Sequence, residues 1–231
     1  MVDTREAEPF IEVQKYISEA DGRNFGEKLP VPWQSSKLTI YRTNQEKFIV
    51  LVSGEPEHGV PLVALQVISN IWQLDQGNIP IHSAGIIHKE GLYLFSGPSG
   101  AGKSTLSILS MEIGDRILDE DQLIIHKNVS FSGYSANAWG RSSEQSCLGI
   151  KGFFWLIKSV ADKIIPLSSR CISRFIWEQS LQLLGGILPT SARLPLFGRI
   201  SEFARSTPGY ELHFRKSPDF WKLIDAEIPC D

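Results

Sequence analysis

Cysteine is scarce. There are three, Cys147, Cys171 and Cys230, with no C-x-x-C pair and no Cys/His spacing suited to a metal. That excludes a disulfide framework and a structural zinc site, and leaves the thiols as small buried or incidental side chains. Long apolar runs are missing as well. The richest, Phe153 to Ile157, falls far short of the roughly 20 residues that a membrane span needs. Neither sign of charge dominates: 23 Lys and Arg face 26 Asp and Glu, a formal net charge of -3. This argues against a broad phosphate-seeking surface and hence against nucleic acid as a partner. The opening residues Met1–Glu8 are polar and acidic, the opposite of a secretory signal. A soluble, cytoplasmic chain without a membrane partner is therefore expected.

The apolar share of 42% is enough for a packed core, and 231 residues suit a main domain with a smaller appendage. Residues 1–35 read as loosely structured. Two β-rich runs, Lys37–Arg42 and Lys47–Val52, flank Thr43-Asn44-Gln45-Glu46 as a hairpin. Leu62, Leu65, Ile68, Ile71 and Trp72 recur at helical spacing, so a helix is expected over about 61–75, ended by Gly77. The centre then alternates strand and helix. Strands are expected at 79–87, 91–95, 116–118, 123–126, 153–157 and 210–214. Helices are expected at about 103–113, 170–184 and 191–204, with Leu106, Leu109 and Ile113 on one face of the first and Gly114 as its stop. Ser217-Pro218-Asp219 is a helix start with Ser217 as N-cap and Pro218 in the first turn. The alternation argues for an α/β core.

Gly97-Pro98-Ser99-Gly100-Ala101-Gly102-Lys103-Ser104 fits G-x-x-x-x-G-K-[ST] at every fixed position, between an expected strand and an expected helix. Glycines let the backbone aim successive N–H groups at phosphate oxygens, and the helix N-terminus adds positive potential. Lys103 is placed to reach the terminal phosphates of ATP, and the Ser104 hydroxyl, followed by Thr105, to ligate Mg²⁺. Such a loop works with a second acidic group for the metal, and a kinase also needs a base. Asp119-Glu120-Asp121 offers three carboxylates at the end of the apolar strand that follows the helix. Taken alone they also fit an exposed acidic turn.

Three segments carry a family resemblance: Ile81-His82-Ser83-Ala84-Gly85, the loop 97–104, and Asp119-Glu120-Asp121. His82 precedes Gly97 by fifteen residues, and Glu120 and Asp121 follow Lys103 by seventeen and eighteen. In these positions the chain resembles the HPr kinase/phosphorylase superfamily, and within it the short bacterial proteins that keep only the kinase core. Weaker similarity runs through Ala136–Gly140, Leu148–Gly152, Gly209–Arg215 and Asp219–Trp221. The full-length enzymes carry an Asp pair where this chain has Glu120-Asp121, and a Glu where it has Thr105. Their N-terminal domain and second catalytic arginine have no clear counterpart here, so neither HPr as substrate nor the reverse phosphorylase reaction is carried over.

The resemblance implies a mixed α/β fold, a P-loop kinase core related to phosphoenolpyruvate carboxykinase over residues 79–231, with a small β-rich lead-in over 1–78 packed on it. It implies an ATP- and Mg²⁺-dependent kinase acting on a hydroxyl, that of a serine in a peptide or protein, with assembly into a homo-oligomer. Residues 97–105 bind the nucleotide, and Lys103 also neutralises charge on the transferred group. Ser104 and Asp121 hold the metal, Glu120 or Asp121 takes the hydroxyl proton, and His82 orients. Two other readings stand beside it: a nucleotide-binding regulatory module without phosphotransfer, and a kinase of a free small molecule such as serine. Lys151 or Arg141 as a phosphate clamp, and Trp139 as a substrate wall, are readings that each compete with an ordinary surface role. The remaining histidines, His58, His88, His126 and His213, read as structural or surface residues.

Overall fold

Runs of β-branched and aromatic residues form strands in two separate sheets, and five helices accompany them among the described residues. The computed structural model describes residues 11–15, 27–29, 38–42, 48–52, 60–135, 148–184 and 188–228. The chain divides into two units, residues 1–72 with 184–188, and residues 73–183 with 189–231.

The first unit holds a four-stranded sheet of β1 (Ile11–Lys15), β2 (Glu27–Leu29), β3 (Leu38–Arg42) and β4 (Phe48–Val52), in the order β1-β4-β3-β2. The expected hairpin is β3–β4, antiparallel with Leu38 opposite Val52. β1 adds to β4 in parallel and β2 to β3 antiparallel. Both lie in the stretch expected to be loose, where single short runs such as Ile11-Glu12-Val13 gain strand geometry only by pairing with the hairpin. Helix α1 (Val60–Asp75) leads into the second unit.

There the strands are β5 (Ile79–His82), β6 (Ala84–His88), β7 (Gly91–Ser96), β8 (Arg116–Asp119), β9 (Gln122–Lys127), β10 (Phe131–Ser135), β11 (Leu148–Lys158), β12 (Lys163–Pro166) and β13 (Gly209–Phe214). The helices are α2 (Lys103–Glu112), α3 (Ser169–Leu184), α4 (Thr190–Ser206) and α5 (Phe220–Glu227). They build a mixed sheet along the path β5-β9-β10-β11-β7-β6-β8, with β13 between β11 and β12. β7 is central: it pairs antiparallel with β6 and parallel with β11, and all six of its residues are buried. Such a strand reads as a continuous apolar run, as Leu92-Tyr93-Leu94-Phe95 does.

Several expectations shift. The single strand expected over 79–87 breaks at Ser83, so that β5 pairs with β9 while β6 pairs with β7 and β8. Ser83 makes the break by donating its backbone N–H to Asp121 O at 3.2 Å and its hydroxyl to Phe95 O at 3.0 Å. β11 runs eleven residues instead of five, because Leu148–Gly149 pair with β10 before the strand enters the β7 ladder. β10 and β12 were not anticipated; their alternation is short and interrupted by glycine or charge. Ile113 is half-exposed at 48%, and the buried face of α2 is Leu106, Ser107, Leu109 and Ser110. α5 begins at Phe220, two residues later than its cap implies, although the Ser217 hydroxyl does accept the Asp219 N–H at 3.3 Å. Of the cysteines, Cys171 lies part-exposed on α3; Cys147 and Cys230, like Ala136–Gly140 and Arg141, are outside the described residues.

An aromatic cluster fills the space between sheet and helices. Phe154 stacks on Phe95 at 5.1 Å and on Tyr210 at 5.5 Å, joining three neighbouring strands. Trp221 of α5 meets Tyr93 and Phe95 edge-on and closes its indole N–H onto the Ser110 hydroxyl of α2 at 2.9 Å. His88 stacks on the same indole at 4.0 Å, its ring nitrogens facing Asp115 at 2.7 Å and Asp225 at 3.3 Å. A polar network of buried Gln73 and Asn78 with half-buried Tyr134 and His126 anchors the turn before β5. Phe154→Ala removes a fully buried ring from this packing and is expected to cost about 3–5 kcal/mol in urea unfolding. A loss below about 1 kcal/mol would show that the stack carries no such weight.

Candidate functional site

The site stands at the C-terminal end of β7, where the chain leaves the sheet, loops through residues 97–102 and enters α2. A Cβ added to Gly97 would lie 2.8 Å from the Ala101 Cβ, so the loop folds back onto its own start as only glycine permits. The Ala101 N–H bonds to Pro98 O at 3.0 Å, and the Ala101 methyl joins the core cluster that contains Phe95 and Leu156. Gly102, the N-cap, sits at φ 109°, and a Cβ there would meet Phe214 Cζ at 2.7 Å. The helix cap therefore has no side chain of its own, and the first turn of α2 receives no side-chain cap hydrogen bond. Pro98, Ser99 and Gly100 are exposed over this cradle.

Lys103 is half-buried and donates to Gly97 O at 3.3 Å across the loop. Burial pushes its ammonium down from the ordinary lysine range, with the Asp121 carboxylate pulling the other way. A partly dehydrated cation of this kind has more to gain from an arriving phosphate than a solvated one. Ser104 is exposed and Thr105 half-buried on the first turn of α2.

The three consecutive acids separate in role, which corrects their reading as one cluster. Asp119 Oδ1 accepts the backbone N–H groups of Asp121 and Gln122, each at 3.0 Å, and its Oδ2 accepts the Ser135 hydroxyl. Asp119 thus closes the β8–β9 turn. Glu120 and Asp121 are left exposed on that turn. Among the described residues no group of three or more His, Cys, Asp and Glu is placed to hold a metal ion.

His82 ends β5, opposite Gln122 in the register with β9, and its carbonyl accepts the Ser96 hydroxyl at 3.4 Å. Burial lowers its pKa first, then the Lys103 charge, with Asp121 opposing. Lys103, Asp121 and His82 therefore lie within one another's electrostatic reach, with His82 a neutral ring at neutral pH; Glu120 exerts no comparable pull on either base.

Lys151, weighed as a phosphate clamp, is on β11 with its Cγ 2.6 Å from where a Cβ of Gly91 would stand. Gly91 starts β7, so the length of the strand, about 3.3 Å per residue, separates Lys151 from the loop at its other end. The cation that does reach the loop is Lys158, which sequence reasoning missed. It ends β11, and its Cε lies 3.7 Å from the Cβ position of Gly102. Its place comes from the parallel register of β11 with β13, a signal that no local motif carries. No protein-family model matches the chain, and no curated protein matches it.

Two measurements check these assignments. Asp119→Ala leaves two backbone donors and a hydroxyl without their acceptor and is expected to lower unfolding free energy by about 1–3 kcal/mol. Asp121→Asn, on the exposed side of the turn, is expected to change it by less than about 0.5 kcal/mol; equal losses would refute the division of roles. For His82 the lowered pKa means that the unfolded chain binds a proton first as pH falls. Stability is then expected to drop as pH goes below about 6.5, and His82→Asn to flatten that slope in pH-dependent urea titrations. An unchanged slope would refute the burial of this ring.

Proposed function

We propose that this chain is an ATP-dependent kinase that transfers the γ-phosphoryl group to a hydroxyl, that of a serine in a peptide or protein. The observation that carries the reading is the cradle itself. A loop too tight for side chains at Gly97 and Gly102 opens onto uncapped amides of α2, with the half-buried Lys103 at its centre and Asp121 and His82 in its field. Backbone donors and a desolvated cation suit a polyphosphate. The serine acceptor rests on the resemblance to the HPr kinase/phosphorylase superfamily.

Mg²⁺ fits the donors present. This hard cation is commonly held by one or two carboxylates together with substrate phosphates and waters, and does not need a cluster of three protein ligands. The exposed Ser104 hydroxyl and the Asp121 carboxylate would hold it, where it would neutralise charge on the phosphates.

In the transfer, the acceptor oxygen forms a bond to the γ-phosphorus as the bond from that phosphorus to the β–γ bridging oxygen breaks, and ADP leaves. The hydroxyl proton passes to the carboxylate pair, with Glu120 as the acceptor and Asp121 on the metal side. His82, neutral, serves as a hydrogen-bonding partner that orients rather than as a second cation. Positioning and charge stabilisation supply most of the rate, as in phosphoryl transfer generally.

γ-Labelled ATP with Mg²⁺, offered with serine-containing peptides and with free serine, is expected to label a peptide. Lys103→Ala is expected to reduce labelling by a factor on the order of 10² or more. Lys158→Ala, an exposed cation, is expected to weaken nucleotide affinity by about fivefold or less. Tight binding of Mg²⁺–ATP with no transfer to any acceptor would instead identify a regulatory nucleotide-binding module. Unchanged binding in Lys103→Ala would refute the nucleotide site itself.

A further inference from the structure

Helical spacing puts Arg170, Arg174, Ser173 and Trp177 along one side of α3, and Phe197, Ser201 and Arg205 in a line on α4. These stripes border a groove of about 570 Å³, with Cys171 also on its wall. Its apolar base is Trp177 against Phe197, ring centres 5.7 Å apart and nearly perpendicular at 80°. Of the three serines on its wall, Ser173 donates to Ser169 O and Ser201 to Phe197 O, each within its own helix. The groove's charge therefore comes from the arginines alone.

Among the described residues no carboxylate lines this groove. Among the described residues, no salt bridge involves Arg170 or Arg205. Arg174 lies over the Phe175 ring at 4.8 Å, and its carboxylate neighbour among the described residues, Glu178, is 3.8 Å away with both side chains exposed. An ion pair of that length and exposure contributes little. Three guanidinium groups thus gather around an aromatic base, in a chain whose net charge is -3.

We propose that the α3/α4 groove docks an acidic peptide segment bearing one apolar side chain. The guanidinium forks take carboxylates, and the apolar side chain rests on Trp177 and Phe197. A volume of about 570 Å³ suits a few residues of peptide better than a single small anion. A nucleic acid strand would extend a phosphate per nucleotide beyond three cations and onto a surface with no basic excess. The groove shares no residue with the loop 97–104, so the proposal goes beyond the kinase reading and does not require phosphotransfer.

The probe is a fluorescein-labelled Asp-Glu-Glu-Phe-Asp-Glu-Asp peptide, titrated with the full chain at low salt and followed by anisotropy. Saturable binding is expected, weakened about tenfold or more in Arg170→Ala/Arg205→Ala and several-fold when Phe in the peptide is replaced by Gly. Phe197→Glu, at a half-exposed position, is a second variant expected to lose binding while keeping the unfolding profile. Saturating peptide is also expected to slow alkylation of Cys171 by N-ethylmaleimide, located by mass mapping. No saturation below about 1 mM, equal binding by the arginine variant, or an unprotected Cys171 would overturn the proposal. So would displacement at equal or lower concentration by pyrophosphate or by a short oligothymidylate, which would mark a small-anion or nucleic-acid site.

Discussion

The close approach of Gly97 to Ala101 is the constraint on which the rest of the second unit depends. At 2.8 Å between a hypothetical Cβ and the Ala101 methyl, the chain leaving β7 has to double back at once. The fold-back places Ala101 in the same buried cluster as Phe95, Leu106 and Leu156. The loop is thereby seated on the core at one side and open to solvent at the other. The loop is held not only by its own turn but by the apolar packing of Ala101 beneath it. The aromatic stack of Phe95, Phe154 and Tyr210 fixes the strands from which the loop departs and against which Phe214 closes on Gly102. Core and candidate site are one piece of packing.

Charge is arranged on that platform by strand ends rather than by a single motif. His82 arrives from β5, Lys103 from α2, Asp121 from the β8–β9 turn and Lys158 from β11. Each sits where a strand or helix terminates next to the loop, so the site inherits the precision of the sheet register. Asp119 shows how that precision is kept. It accepts two backbone N–H groups and a hydroxyl, which leaves Glu120 and Asp121 projecting while the turn beneath them is closed. One acid closes the turn, and its two neighbours stay exposed on it.

Much of this was legible from local sequence, and the remainder was not for identifiable reasons. The loop 97–104 could be read because its requirements are local: positive φ at Gly102, close packing at Gly97 and a helix directly after. The β3–β4 hairpin and helices α1 to α4 follow from short-range patterning of the same kind. Ser83 was opaque because Ile79–Ile87 looks like one strand until two different partners claim its halves. The different fates of Asp119, Glu120 and Asp121 were opaque because adjacent carboxylates are chemically alike until turn geometry sorts them. Lys158 and Lys151 were opaque in a complementary way. Both are lysines on β11, and only the register with β7 and β13 decides that one meets Gly102 and the other Gly91.

Geometry also separates the two sites proposed for anions. At the loop, the cations are few, one is half-buried, and the backbone supplies the remaining donors, a combination that favours compact and highly charged phosphate groups. Across α3 and α4 the cations are side-chain guanidiniums spread over a wide groove with an aromatic base. Carboxylates along an extended segment match that spacing better than a phosphate cluster does, because each fork binds one planar anion. Two sites with the same sign of charge thus differ in the geometry with which they present it. In the reading proposed for each, geometry rather than net charge, which is -3 for the whole chain, selects the kind of anion.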